Sequence, residues 1–229
     1  MLSKIAHEGY PFILGTLVTT VILGILLFWT WRSGTQQFVF FLLVALTGIS
    51  LLAALFMPYF FRDPERVIPR GEGLFVAPAD GKVILIKDVY EQEYLGSQTR
   101  EVSIFMSPLD VHVNRAPCDG EVVTVEHKAG KFLAAYKEDA PIKNEHINMV
   151  LESKQGKLLV RQVAGFIARR AVCRVKPGDL LRRGERYGMI KFSSRLDVYL
   201  PQDVQITVKS GDTVKAGETV IAKTKSYHQ

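Results

Sequence analysis

The sequence predicts a membrane-anchored α+β chain, mainly β: two N-terminal transmembrane helices, then a β-rich, barrel-sandwich-like domain with quasi-duplicated hairpins. Three observations carry that prediction. The chain contains two charge-free runs of about 20 residues, Pro11 to Thr30 and Phe38 to Met57. From Phe61 onward the texture changes to short alternating runs broken by Gly, Pro and Asp. Two stretches of this second part also recur within it.

Each apolar run has the length at which a helix crosses hydrocarbon, placing helices at about 11–30 and 38–57. A cleaved signal peptide fits poorly, because the first run is long and a second follows directly. Two buried core helices would need a larger domain around them. Trp31 to Gln37 can form only a turn, so the pair is a helical hairpin, with Trp29, Trp31 and Tyr59 at interfacial depth. Lys4 precedes the first helix and Arg62, Arg66 and Arg70 follow the second, whereas the turn carries only Arg32. The positive-inside rule puts both ends, and everything after residue 61, on the cytoplasmic side of the inner membrane. The expected domains are an anchor, 1–60, and a β-rich domain, 61–229.

With 229 residues and 48% hydrophobic content, the chain can hold one sizeable domain beside its apolar segment. The net charge of +6 is spread out, with no nucleic-acid motif. Such a chain suits anionic lipid better than nucleic acid. Cys118 and Cys173 form no CxxC pair and read as small buried hydrophobes in a reducing compartment. No His/Cys/Asp/Glu group has metal-ligand spacing, and neither GxGxxG nor a P-loop occurs.

Expected strands are Val83–Ile86, Glu101–Phe105, Gly120–Glu126, His146–Glu152, Lys157–Val163, Gly188–Phe192, Leu196–Leu200, Val204–Val208 and Thr219–Thr224. Only Gly165–Cys173 and Lys131–Lys137 have a helical flavour. Ala77-Pro78-Ala79-Asp80-Gly81-Lys82-Val83 recurs as Ala116-Pro117-Cys118-Asp119-Gly120-Glu121-Val122. The run from Val175 to Glu185, with Gly178-Asp179 inside it, recurs from Val208 to Glu218 with Gly211-Asp212. Each copy reads as a turn feeding a strand, the arrangement used by lipoyl-like domains.

Several residues could carry chemistry. Ser193 and Ser194 sit in a tight connection between two strand-like runs, where a solvated turn is the ordinary reading. Asp80 precedes a strand, and Asp-Gly there is ordinary turn chemistry. His112 lies in an apolar, proline-bounded strand: either a hydrogen-bonded core residue or the group that titrates near neutrality. Arg62 to Arg66 reads as a juxtamembrane connector or a solvated linker, and Asn144-Glu145-His146 as a loop end.

Taken in order, Phe61-Arg62-Asp63-Pro64-Glu65-Arg66, Ala77 to Gly81, Met106 to His112, Asn144-Glu145, Ile167 to Arg170, Gly178-Asp179 and Ser193-Ser194-Arg195 resemble one family. That family is the short bacterial and archaeal type of phosphatidylserine decarboxylase. The resemblance implies a lyase that makes phosphatidylethanolamine from phosphatidylserine in the membrane and processes its own proenzyme. The Ser194 hydroxyl would reach the carbonyl of Ser193, forming an ester by an N-to-O shift. Loss of the Ser194 α-proton then expels the upstream chain, and the dehydroalanine left behind hydrolyses to a pyruvoyl group with loss of ammonia. The products would be a chain ending at Ser193 and a second chain of residues 194–229, held as a heterodimer. The pyruvoyl carbonyl would take the substrate amine as a Schiff base and accept the electrons released with CO₂, with neither PLP nor metal.

The resemblance also assigns His112 to proton transfer and Asp80 to orienting it. Two departures from the family stand out. The residue before the serine is usually glycine and here is Ser193, so slower processing is expected. The longer bacterial type has a second histidine where this chain has Arg115, which could pair with substrate phosphate. A homodimer stays open. The competing readings are a non-enzymatic membrane-anchored adaptor, which the echoes alone would suit, and a decarboxylase for another amino-acid head group.

Overall fold

The computed structural model describes residues 4–34, 36–131, 143–165, 170–191 and 194–225. The chain divides into two compact units, Met1–Glu65 and Arg66–Gln229.

In the first unit, β1 (Lys4–Ile5) and a short 3-10 turn lead into α1 (Tyr10–Ser33), followed by α2 (Gln37–Phe60) and β2 (Arg62–Asp63). Gly34 ends α1 with φ 63°, a left-handed position that glycine adopts without steric cost. Thr20 and Ser50 share a hydrogen bond of 2.7 Å between the helices. β1 and β2 pair antiparallel, Lys4 opposite Asp63, and tie the two ends of the hairpin together. Both helices are long and apolar enough to cross a membrane, and they leave Leu14, Val21, Phe38 and Leu52 exposed. Apolar side chains that face outward on both helices are not those of a buried core pair. Within this unit Asp63 is buried, unlike a residue of a freely solvated linker.

The second unit is almost entirely β. Its strands are β3 (Leu74–Val76), β4 (Gly81–Glu91), β5 (Ser97–Met106), β6 (Val113–Arg115), β7 (Gly120–Lys128), β8 (His146–Ser153), β9 (Gly156–Ala164) and β10 (Ala171–Cys173). They continue with β11 (Leu180–Leu181), β12 (Arg186–Ile190), β13 (Ser194–Pro201), β14 (Val204–Ile206), β15 (Thr213–Val214) and β16 (Val220–Thr224). The largest sheet has the order β11-β7-β8-β9-β13-β5-β4-β15. Two three-stranded sheets, β10-β12-β6 and β14-β16-β3, complete the unit. All these pairings are antiparallel. One face of the large sheet buries Val102, Ile104, Leu158, Val160, Leu196, Val198 and Leu200 in the main core, as period-two alternation requires.

The sequence echoes are echoes of structure. Val83 N donates to Asp212 O and Val122 N to Asp179 O, both at 2.9 Å. Gly211 N donates to Val83 O and Gly178 N to Val122 O, both at 2.8 Å. Even the bulges match: the β4–β5 register shifts between Val83 and Leu85, and the β7–β8 register between Val122 and Thr124.

Three expectations change. Ala171–Cys173, read as helical, pairs with β12 as a strand, because its β-branched valine and small neighbours fit a pleated edge. The rest of that run at 166–169, with residues 132–142 and Ser193, lies outside the described residues. Ser194 does not sit in the connection; it is the first residue of β13. His112 precedes β6 instead of lying within a strand.

Candidate active site

Ser194 is placed by the two strands that flank it. It stands opposite Met106 at the end of β5 and opposite Ala164 at the end of β9. Its side chain is fully buried, and its Oγ donates to the Met106 sulfur at 3.3 Å. A thioether is a weak acceptor, so the hydroxyl is held without being strongly solvated.

From Met106 the chain makes a tight turn: Asp110 N donates to Ser107 O at 3.0 Å and Ser107 N to Asp110 Oδ2 at 2.7 Å. The turn delivers His112, fully buried, beside the end of β12, where Ile190 N donates to His112 O at 3.3 Å. His112 Nδ1 lies 3.0 Å from Asp110 O. A carbonyl only accepts, so in the neutral ring Nδ1 carries the proton and Nε2 the lone pair. Ser194 thus faces Met106, the last residue of β5, and His112 follows the turn that leaves Met106.

Asp80 is placed differently. Its Oδ1 and Oδ2 accept from Arg66 Nη2 at 2.9 and 2.8 Å, and Oδ1 also accepts from Ala216 N at 2.8 Å. The orienting bond expected from Asp80 to His112 is not among its bonds to the described residues. Burial pushes the Asp80 carboxyl above the usual carboxylate range, and the Arg66 guanidinium works against that rise. Arg66, buried itself, also lies 3.6 Å from Glu218. Gly81, next to Asp80, has φ 151°, and a Cβ there would stand 2.1 Å from Phe105 O. Only glycine lets the backbone approach β5 that closely. Arg115 is buried, with Nη1 donating to Gly184 O at 3.0 Å.

Two residues near the serine, Asn114 and Gln162, were not singled out by sequence reasoning. Asn114 Nδ2 approaches the Met106 sulfur at 3.9 Å, and Gln162 Nε2 donates to Asn114 Oδ1 at 2.8 Å. Asn144 Nδ2 donates to Ala164 O at 2.8 Å, bracing the end of β9 opposite Ser194. Gln162 had a readable signal, a polar residue on the core-facing side of an apolar strand.

The phosphatidylserine decarboxylase family matches residues 53–222 of this sequence. The chain belongs to that family. A phosphatidylserine decarboxylase proenzyme of Geobacter metallireducens is 44% identical over 220 residues, 96% of each chain. That of Symbiobacterium thermophilum is 44% identical over 96% of this chain and 95% of its own. That of Chlorobium limicola is 42% identical over 94% of this chain and 97% of its own. Membership of the phosphatidylserine decarboxylase family favours an enzyme over an adaptor.

Proposed function

We propose that this chain is a membrane-bound phosphatidylserine decarboxylase that cleaves itself between Ser193 and Ser194. The observation that carries the reading is Ser194, fully buried at the head of a central strand with its hydroxyl on a thioether. An uncharged keto-acyl group formed from this residue fits a fully buried position beside a thioether better than a charged group would. When present, the pyruvoyl group supplies the electron sink for decarboxylation of an amine-bearing substrate.

The protein's own residues do the rest. Met106 keeps the Ser194 hydroxyl out of bulk hydrogen bonding. His112, fixed in the Nδ1–H tautomer by Asp110 O, offers Nε2 to take and return protons. Asp80, clamped by Arg66, sets the charge of the neighbouring turn and would act on His112 through position. For Arg115 to bind a substrate phosphate it would exchange the Gly184 carbonyl for a phosphate oxygen. The helical hairpin holds this chemistry at the cytoplasmic face of the inner membrane, where a lipid head group is within reach, and the second unit adopts a barrel-sandwich arrangement.

The test is a lipid assay on the purified full chain. Vesicles containing phosphatidylserine should release CO₂ and accumulate phosphatidylethanolamine, and His112→Ala should slow this by about 100- to 10,000-fold. A processed protein that releases no CO₂ from phosphatidylserine, but does so from another amino-acid head group, would overturn the substrate assignment.

A further inference from the structure

The processing proposed above would turn Ser194 into a chain end in the middle of an eight-stranded sheet. That is a poor place for an end. Cleavage removes the peptide N–H of residue 194, and with it one donor to the neighbouring strands. It also cuts the covalent link from β12, leaving β13 tethered only on its far side. New termini fray unless something ties them down.

The residue next to the cut is tied down unusually well. Arg195 points to the sheet face opposite the core, where it is buried. Its Nε donates to Asp197 Oδ1 at 2.6 Å, and its Nη2 donates to Ser103 Oγ at 2.8 Å and to Glu101 Oε1 at 3.2 Å. Ser103 and Glu101 belong to β5, and Lys87 of β4 reaches Glu101 Oε2 at 3.3 Å. The tie therefore runs from β13 across β5 to β4, with two cations balancing two carboxylates.

Bulk stability does not explain such a cluster. Apolar residues of similar volume would hold a buried face at least as firmly, because burying charges is costly. What the cluster supplies is direction. The planar guanidinium fork fits these acceptors only in one alignment. A slip of β13 by one residue would turn Arg195 into the core of Leu196, Val198 and Leu200, and would turn residue 194 away from Met106 and the Gln162–Asn114 pair.

We infer that Arg195 is a positioning residue that pins the newly formed chain end in register after self-cleavage, acting through Ser103 and Glu101 of β5. This rests on the processing reading above. Before cleavage the link from β12 does the same work, so the pin matters only in the processed protein.

That asymmetry is the test. Hydrogen exchange is followed by mass spectrometry over residues 195–200 in the full chain, with and without Arg195→Lys, both as the processed form and in the uncleavable Ser194→Ala background. Ser103→Ala, which removes one acceptor of Arg195 together with the hydroxyl that donates to Glu101 Oε1 at 3.2 Å, is measured in parallel in case Arg195→Lys fails to fold. The processed Arg195→Lys protein should exchange about tenfold faster than processed wild type, and Ser103→Ala about threefold faster, with little change in the Ser194→Ala background. Equal acceleration in both backgrounds would reduce Arg195 to an ordinary structural residue and overturn the inference, as would no acceleration in either. Intact mass, taken first, separates the two claims: an uncleaved wild type overturns the processing reading and this inference with it, whereas cleaved chains with unchanged exchange overturn this inference alone.

Discussion

Asp80 and Asp119 occupy the same place in the two echoed halves of the β unit, yet they live in different surroundings. Each accepts a backbone N–H at 2.8 Å from the facing turn, Ala216 for Asp80 and Arg183 for Asp119. Each is followed by a glycine that enters a long strand of the large sheet. Asp119 is exposed, while Asp80 is largely buried under the Arg66 guanidinium. The turn chemistry is thus the shared inheritance of both copies. What distinguishes the copy near His112 is burial together with a buried cation. The acid that resembles a catalytic group in the sequence is first a turn residue, and its special character comes from Arg66.

Breaking the comparison should cost unequal amounts. Among the described residues, Asp80→Ala would leave the buried Arg66 side chain with Glu218, at 3.6 Å, as its remaining acidic neighbour, at a cost of about 3 kcal/mol. Asp119→Ala would lose one exposed hydrogen bond, at about 1 kcal/mol. Urea unfolding of both variants measures the gap, and equal losses would erase the distinction drawn here.

The second contrast is one of pH. The folded state holds the Asp80 proton more tightly than the unfolded chain does, so ionising Asp80 costs stability as pH rises from its ordinary range to its raised folded value. Arg66 opposes that cost. In Arg66→Met the penalty relative to wild type should therefore be small in acid, where Asp80 is neutral, and grow to about 2 kcal/mol towards neutral pH. Unfolding midpoints across the acid range check this; a penalty that is flat with pH would detach Arg66 from Asp80. Arg66→Lys, which keeps charge but loses the fork, should fall between the two.

The smallest effects belong where the copies agree. Lys176 N donates to Asp179 Oδ2 and Lys209 N to Asp212 Oδ2, both at 2.9 Å. Asp179→Ala and Asp212→Ala should each cost about 1 kcal/mol, and by the same amount. A clear inequality in thermal unfolding would show that the duplication is less complete than its hydrogen bonds indicate.

Much of this was legible in the sequence because it rests on local patterns. Charge-free runs of helical span, alternation in the strands from His146 to Val163, and Asp-Gly turns each depend on neighbours along the chain. The echoes could be read for the same reason, since each half repeats its own turn chemistry. What escaped depends on residues brought together from far apart. Arg66 looked like part of a solvated linker until Asp80 was placed beside it. Met106 is an unremarkable apolar residue until β13 pairs with β5 and sets its sulfur against Ser194. Arg195 followed the serine in plain view, but its function depends on Glu101 and Ser103, which only sheet register delivers. Ser194 itself was found by resemblance and misplaced by one element, because a polar Ser-Ser pair reads as a turn when strand partners are unknown.

The central claim is that Ser194 is where the chain is cut. Intact mass of the purified wild-type protein, beside Ser194→Ala, tests it most directly. The account predicts two chains in the wild type, one ending at Ser193 and one comprising residues 194–229 with a ketone in place of its amino terminus, and a single intact chain in Ser194→Ala. One uncleaved chain in both preparations, or cleavage that survives in Ser194→Ala, would contradict it.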